Sequence, residues 1–255
     1  MAMRHLFSPE GESALARTMQ ARPLLAFDFD GTLTPIVARP SDANLSKGIA
    51  ARLATLASQL PVAIVTGRSI DDVRGRLGFE PRFIVGNHGA QDEGRPAAAG
   101  WRPEVLDALR RRLGEQLPAL ATAGVTVEDK RYSMAMHYRL SHTREHALHL
   151  IMELLKVHGE ALRVFGGKLV VNVVPRLAPD KADAVHSLVH RSGAPCAIFA
   201  GDDVNDEPVF ASAPSGWLTI RVGRDDPLSK AQYVLDGTDE TALMLERMVS
   251  LLGPT

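Results

Sequence analysis

Over the first third of the chain, short apolar runs alternate with amphipathic stretches. Three runs are short and apolar, as is typical of buried strands: residues 23–29 (PLLAFDF), 61–67 (PVAIVTG) and 82–89 (RFIVGNHG). Between them, residues 46–60 have a helical apolar period, and residues 69–78 also predict a helix. This order of strands and helices predicts right-handed crossovers and a parallel sheet.

The pattern changes after a stretch of small residues at 94–100 (GRPAAAG), which predicts a linker. The chain then predicts a helix, two β segments, a second helix and two strands, at residues 101–117, 124–140, 142–159 and 161–175. Gly166 and Gly167 lie where the last two strands meet, which is a hairpin signal. The order αββαββ favours an antiparallel sheet covered by helices.

From residue 181 the first pattern resumes with a helix, a buried strand, two short strands and a terminal helix. They lie at residues 181–193, 195–203, 216–223, 231–237 and 238–253. We therefore predict an α/β protein whose parallel, Rossmann-like sheet core is split by an inserted α+β domain. Residues 1–93 and 181–255 form the predicted core, and residues 94–180 form the insertion.

Composition and charge are ordinary for a globular protein: 255 residues, 45% of them hydrophobic and 23% charged, with a net charge of −1. This balance gives no reason to expect nucleic acid or an anionic membrane as a partner. No apolar stretch approaches the ~18 residues of a membrane span, and the N-terminus lacks the apolar core of a signal peptide. Cys196 is the only cysteine, which excludes an intrachain disulfide and a cysteine zinc cluster. We expect a soluble, cytoplasmic protein.

Carboxylates follow two of the predicted strands. Asp28 and Asp30 end the first strand, and Asp202, Asp203 and Asp206 end or follow the first strand after the insertion. Residues i and i+2 of a strand point to one face, so Asp28 and Asp30 are both expected in the crevice at the carboxyl ends of the sheet. Helix capping explains either group alone, but both groups on one sheet need a cation, and oxygen ligands favour Mg²⁺.

Two further residues have the chemistry of a phosphate site. Thr66 ends the second strand and offers a hydroxyl and a backbone N–H. Lys181 is the first residue of the helix before the predicted strand 195–203, which ends in GDD. A lysine in that position would neutralise developing negative charge. Each residue alone has a plainer explanation, because Thr66 suits a turn and Lys181 suits a solvated helix end.

These residues, in this order, resemble the motifs of the haloacid dehalogenase-like phosphatases: DFDGTL, then Thr66, then Lys181, then GDDVND. The late insertion matches the group with a large α+β cap domain. Within that group the chain resembles the trehalose-6-phosphate phosphatases from about residue 22 to the C-terminus. The resemblance rests on DFDGTLTPI (28–36), VAIVTGRS (62–69), GNHGA (86–90), E-D-K-R-Y-S-x-x-x-H-Y-R (128–139) and GGKLVVNVVP (166–175).

The resemblance implies roles for the core residues. Asp28 is the nucleophile that forms an aspartyl-phosphate, and Asp30 is the general acid and base that serves the sugar leaving group. Mg²⁺ is held by the Asp28 side chain, the Asp30 backbone carbonyl and the Asp202 side chain, with Asp203 and Asp206 orienting the site. Thr66 and Lys181 are implied to hold the phosphoryl oxygens.

The resemblance also implies a set of substrate-binding residues: Gly31, Arg68, Glu128, Lys130, Ser133, His137, Arg139, Lys168 and Asn172. Structural alternatives stay open, because His137 with Arg139 suits a structural pair and Glu128 with Lys130 suits a cross-strand charge pair. His88 in GNHG is expected to be structural or to lie at a hinge. Relatives usually carry a glutamate where this chain has Asn172, which keeps a hydrogen-bond acceptor but lacks the charge.

The implied function is Mg²⁺-dependent hydrolysis of trehalose 6-phosphate to trehalose and phosphate, as in trehalose biosynthesis. The alternatives are a phosphatase of another sugar phosphate, such as sucrose 6-phosphate or mannosyl-3-phosphoglycerate, and a non-catalytic sugar-phosphate sensor. As partners we expect a small sugar phosphate and neither nucleic acid nor membrane, with association with a trehalose-phosphate synthase left open. A dinucleotide site is disfavoured, since the first turn lacks a glycine-rich loop.

Overall fold

The structure is a computed structural model that describes residues 3–37, 39–94, 102–156 and 159–253. The chain divides into two compact units, one formed by Met1–Glu93 with Asp180–Thr255 and one formed by Gly94–Pro179. The predicted linker at 94–100 lies, beyond Gly94, outside the described residues.

The described residues form twelve strands: β1 (Arg4–His5), β2 (Leu24–Phe27), β3 (Val62–Val65), β4 (Phe83–Gly86), β5 (Gln91–Asp92), β6 (Thr126–Asp129), β7 (Met134–His137), β8 (Leu162–Gly167), β9 (Val170–Pro175), β10 (Ala197–Gly201), β11 (Leu218–Val222) and β12 (Tyr233–Leu235). They also form eight α-helices: α1 (Pro9–Gln20), α2 (Lys47–Ala57), α3 (Ile70–Arg74), α4 (Asp107–Thr122), α5 (Arg144–Lys156), α6 (Lys181–Ser192), α7 (Glu207–Ser212) and α8 (Thr238–Leu251).

The first unit contains an eight-stranded sheet in the order β1-β12-β11-β10-β2-β3-β4-β5. Only the short edge strand β5 runs antiparallel to its neighbour, so the predicted parallel, Rossmann-like core is confirmed. Strand β2 pairs with β10 on one side and with β3 on the other. The carboxyl ends of these three central strands therefore lie side by side, where open α/β sheets bind their ligands.

Helices cover both faces of this sheet because the side chains of β2 alternate between two cores. Leu25 and Phe27 pack into the core that also contains α1, α2 and α8 residues. Leu24 and Ala26 pack into a second core with residues of α6 and α7. Burial of each such leucine or phenylalanine contributes roughly 1.5–3 kcal/mol to folding.

The second unit is the predicted αββαββ insertion, an antiparallel sheet in the order β6-β7-β9-β8 with α4 and α5. Met134, Met136, Val171 and Val173 point to one face of this sheet and form a core with the helices. Helix α4 runs through Pro118, whereas the predicted helix ended at 117. Packing of its buried leucines on the sheet offsets the one backbone hydrogen bond that proline cannot make.

Several predicted boundaries were wrong. The first strand ends at Phe27 rather than at residue 29, because the chain turns at Gly31, whose N–H donates to the Thr34 carbonyl at 2.7 Å. The hairpin between β8 and β9 turns at Lys168-Leu169, not at Gly166-Gly167, and Leu169 adopts a left-handed φ of 62°. None of the helices in the described segments combines the length and the apolar character needed to cross a membrane.

Candidate active site

Asp28 is the first residue after β2, and the backbone fixes its position. Its N–H donates to the Ala200 carbonyl at 2.9 Å, which extends the β2–β10 pairing by one residue. Its Oδ1 accepts the Phe29 N–H at 2.7 Å, and its Oδ2 lies 2.9 Å from Lys181 Nζ. The buried carboxylate therefore has one fixed orientation, as a nucleophile requires.

Lys181 is the first residue of α6, where Asp180 and Asp183 form a reciprocal capping box. Its side chain is buried, and Nζ bridges Asp28 Oδ2 and Asp206 Oδ1, at 2.9 and 2.7 Å. Burial acts to lower the pKa of Lys181, but the negative charges of Asp206 and Asp28 outweigh it and raise that pKa above its usual range. The solvated helix end that was the alternative for Lys181 is thus wrong.

Asp206 holds the turn after β10 in place. Its Oδ2 accepts the N–H groups of Asp202 and Asp203 at 2.9 and 3.0 Å, and its Oδ1 accepts from Lys181. Gly201 is required here, because a Cβ at that position would lie 2.3 Å from Asp206 Cγ. Both oxygens of Asp206 are thus occupied by the protein, as expected of an orienting residue.

Asp202 and Gly31 approach each other closely. The buried Asp202 accepts a hydrogen bond from the Thr32 hydroxyl at 3.2 Å. A Cβ on Gly31 would lie 2.0 Å from Asp202 Oδ2, and Gly31 has a φ of +82°. Only glycine fits both the space and the left-handed backbone at this point.

The carboxylates have the chemistry of a divalent-cation site. One oxygen from each of Asp28, Asp202 and Asp206 can be chosen so that all three lie within 4.8 Å of one another. Burial and the charges of Asp206 and Asp202 raise the pKa of Asp28 well above its usual range, although Lys181 acts in the opposite direction. Three buried carboxylates exceed the charge of one ammonium group, and a hard divalent cation would correct that imbalance.

Thr66 and its loop are braced by the GNHG turn, whose role the sequence left open. Thr66 is buried and its carbonyl accepts the His88 N–H at 2.9 Å, while the Asn87 N–H donates to the Arg68 carbonyl at 2.7 Å. Asn87 and His88 both adopt left-handed backbone, with φ of 53° and 59°. A Cβ on Gly67 would lie 2.3 Å from His88 Cε1, so the ring packs directly on the Thr66 loop. His88 therefore has a structural position.

Asp30 does not share the partners of Asp28. Arg68 donates from Nε to Asp30 Oδ2 at 2.7 Å and from Nη2 to Oδ1 at 2.8 Å. Strand spacing does not decide where these two side chains point, because β2 ends at Phe27, before either of them. That both lie in the crevice at the carboxyl end of the sheet stays a prediction. Asp28 belongs to the lysine cluster, and Asp30 belongs to an arginine cluster beside it.

In the second unit, predicted sugar-binding residues lie on one face of the sheet. Strand register aligns Glu128 with Ala135, Asn172 and Phe165 across the four strands. His137 lies two residues from Ala135 on β7, and side chains at this spacing share a face. The helices cover the opposite face. Phe165 was not foreseen, because a lone aromatic in a strand carries no signal until the register is known.

Contacts among the residues of this face differ in part from those expected. Glu128 Oε2 lies 3.0 Å from His137 Nε2 and 3.5 Å from Lys130 Nζ. Burial acts to raise the pKa of Glu128, but bonding to His137 and the charge of Lys130 hold that pKa below its usual range. The Glu128–Lys130 pair therefore exists, although it joins β6 to the residue that follows this strand rather than two strands. Arg139 donates to the Lys168 carbonyl at 3.3 Å, from beyond the end of β7.

Other polar residues near these sites are buried. Ser133 and Asn172 are buried in the second unit. Within the described parts of the chain, the Asn205 side-chain oxygen in GDDVND is buried without a hydrogen-bond partner. Asn205 was not singled out from the sequence, where the flanking aspartates carried the stronger signal.

Known proteins similar to the chain point to one family. The family model for trehalose-phosphatase matches residues 26–221. A trehalose-phosphate phosphatase of Mycobacterium ulcerans is 32% identical over 274 residues, covering 98% of this chain and 68% of that protein. An uncharacterized glycosyl hydrolase of Mycobacterium tuberculosis is 35% identical over 201 residues, covering 74% of this chain and 15% of that protein.

A solved structure has the same fold. The C-terminal domain of the trehalose-6-phosphate phosphatase of C. albicans matches with a TM-score of 0.81 at 20% identity, covering 97% of this chain and 98% of that chain. The chain spans about two thirds of the M. ulcerans protein and a small part of the M. tuberculosis protein.

Proposed function

The chain belongs to the trehalose-phosphatase family, and we propose from this premise that it hydrolyses trehalose 6-phosphate to trehalose and phosphate. The observation that carries the proposal is the buried contact of Asp28 with Lys181, beside the carboxylate of Asp202. A pure binding protein needs neither a buried, oriented carboxylate nor a second carboxylate, Asp30, nearby. A sensor is therefore the weaker alternative.

In the first half of the reaction, an oxygen of Asp28 attacks the phosphorus of the bound ester. A bond forms between that oxygen and phosphorus, and the bond from phosphorus to the sugar oxygen breaks. The electron pair of the broken bond goes to the sugar oxygen, which takes a proton from Asp30 because an alkoxide is a poor leaving group. Lys181 and Thr66 offset the charge of the phosphoryl oxygens.

In the second half, water attacks the phosphorus of the aspartyl-phosphate. The water gives a proton to Asp30, and the bond between phosphorus and the Asp28 oxygen breaks, which releases phosphate and restores both aspartates. Asp30 thus acts once as an acid and once as a base, and the chain ends the cycle as it began.

The donor set fits Mg²⁺. The side chains of Asp28 and Asp202 and the backbone carbonyl of Asp30 would hold the ion, while Asp206 and Asp203 keep the turn in position. When bound, Mg²⁺ supplies positive charge that screens the repulsion between the nucleophile and the phosphoryl group.

We assign recognition of the sugar to the face of the inserted sheet opposite its helices. Glu128, His137, Ser133 and Asn172 provide donors and acceptors for hydroxyl groups there. Asn172 is neutral and buried, so it would contribute hydrogen bonds but no charge to sugar binding.

A panel of sugar phosphates at fixed Mg²⁺ tests the proposal. Trehalose 6-phosphate should be among the best substrates by kcat/KM, with release of phosphate and loss of turnover in EDTA. A clear preference for sucrose 6-phosphate or mannosyl-3-phosphoglycerate would make the chain a phosphatase of that sugar. No phosphate release from any ester, together with binding of trehalose 6-phosphate, would make it a sensor.

A further inference from the structure

Arg68 forms hydrogen bonds with both oxygens of Asp30, the residue that is proposed to transfer the proton. It lies two residues after Thr66 and is only 8% exposed. Its Nε and Nη2 donate to the two different oxygens of Asp30, at 2.7 and 2.8 Å. Such a fork fixes both the position and the plane of a carboxylate, which a single point charge cannot do.

The guanidinium is itself held from several sides. Nη1 donates to Asp72 Oδ2 at 2.6 Å, and Nη2 also donates to the Pro40 carbonyl at 2.9 Å. The guanidinium carbon lies 5.3 Å from the centre of the Phe29 ring. Arg68 therefore presents one orientation of its fork to Asp30.

Asp72 is anchored in turn by Arg76. Its Oδ1 accepts from Arg76 Nε at 3.0 Å and from Nη2 at 2.6 Å. Arg76 Nη1 donates to the carbonyls of Ser41 and Ala43 at 2.7 and 3.1 Å. Charges of alternating sign thus connect Asp30 through Arg68 and Asp72 to Arg76.

This arrangement suits a residue that aims Asp30 without taking part in proton transfer. Each oxygen of the carboxyl group has two lone pairs and the fork uses one on each, so either oxygen can still carry the proton that Asp30 transfers to the sugar oxygen. Arginine has no acceptor and stays charged, so it neither gives nor takes the proton. We propose that Arg68 is a positioning residue for Asp30, steadied by Asp72 and Arg76. The inference rests on the proposed function, because it requires Asp30 to serve the leaving group.

Two esters separate positioning of Asp30 from other roles, since kcat/KM reports the steps up to departure of the leaving group. The leaving group of trehalose 6-phosphate is a sugar alkoxide that needs a proton, whereas that of p-nitrophenyl phosphate is a phenolate that does not. Arg68→Met should lower kcat/KM about 100-fold on trehalose 6-phosphate and less than about 5-fold on p-nitrophenyl phosphate. Arg68→Lys should recover only part of the loss, since an ammonium cannot form the fork.

Asp72→Asn should show the same selectivity at about 5-fold, because it loosens the fork without removing it. The matched control is Arg74→Met on the same helix, where Arg74 pairs with Glu93 at the surface. It should change kcat/KM less than about 2-fold on either ester.

Equal losses on the two esters in Arg68→Met, or full recovery in Arg68→Lys, would overturn the assignment. Circular dichroism and thermal unfolding show whether each variant folds. If Arg68→Met does not fold, Asp72→Asn decides: a selective loss supports the positioning role, and an equal loss or none contradicts it. Asp30→Asn separates failure of the Arg68 assignment from failure of the proposed role of Asp30. An equal loss on both esters in Asp30→Asn would refute the leaving-group role of Asp30, and this inference with it.

Discussion

The two candidate sites in the molecule solve different problems with similar side chains. In the first unit Asp28 is 5% exposed, Lys181 is 1% and Asp206 is 0%, and the Lys181 ammonium contacts both carboxylates. On the face of the inserted sheet opposite its helices, the side chain of Glu128 is 45% exposed and that of His137 is 31%, although Asn172 on the same face is buried. Chemistry requires charges that are already oriented in a water-poor site, whereas recognition of hydroxyl groups also works with donors and acceptors that are partly solvated. Substitutions of the groups in the first site that are proposed to contact the phosphoryl group or to hold the cation should therefore cost more, and on both esters.

Removing the nucleophile should have the largest effect. Asp28→Asn keeps the shape of the side chain but loses the charged oxygen, so turnover of both trehalose 6-phosphate and p-nitrophenyl phosphate should fall by at least ~10³-fold. The fold should persist, because the substitution relieves crowding among buried carboxylates. Phosphate release and thermal unfolding measure the two effects, with the exposed Asp71→Asn as control. Near wild-type turnover in Asp28→Asn would refute the nucleophile assignment.

Adding one methyl group at Gly31 should displace Asp202 and so disrupt the first site. Gly31→Ala places a Cβ against Asp202 and forces a left-handed alanine, so kcat/KM should fall about 10²-fold on both esters. The rise in melting temperature on adding Mg²⁺ should shrink, because Asp202 is pushed out of place. Gly114→Ala in the exposed middle of α4 has open space and should leave activity unchanged. An intact Mg²⁺ response in Gly31→Ala would place the cation away from Asp202.

The sequence predicted the parallel core, the αββαββ insertion and the carboxylate cluster because these depend on periodicity and on spacing along the chain. It did not predict that Asp30 would bond Arg68 rather than face the same partners as Asp28. That outcome depends on where β2 ends and on the turn at Gly31, which packs closely against Asp202, a residue far away in the sequence. Likewise, His88 packs on Gly67. This contact joins two loops that are separate in the sequence, so no local sequence pattern predicts it.

Substitution on the inserted unit should separate the two esters. Lys168 lies in the turn between β8 and β9, so Lys168→Ala should raise KM for trehalose 6-phosphate about 10-fold, as loss of a charged hydrogen bond does. The rate on p-nitrophenyl phosphate, which has no sugar, should change little. Steady-state kinetics on both esters test this, with Lys156→Ala on the surface of α5 as control. Equal losses on the two esters would assign Lys168 to the phosphate site and weaken the contrast between the units.

The smallest effect should come from Glu128→Gln, which keeps the shape and one acceptor but removes the charge that faces His137 and Lys130. We expect KM for trehalose 6-phosphate to rise about 3-fold and the free energy of unfolding at pH 7 to fall by less than about 1 kcal/mol. The pKa of Glu128 is lowered by folding, so its stabilising charge is fully present above the usual glutamate pKa of about 4.3 and is lost as pH falls through the folded value. The stability difference between wild type and Glu128→Gln should therefore shrink between pH 6 and pH 3.5, whereas Glu145→Gln on α5, an exposed control, should show less change. If the stability difference does not change with pH, packing rather than charge accounts for the contribution of Glu128. A loss of activity as large as in Gly31→Ala would remove the distinction between the two sites.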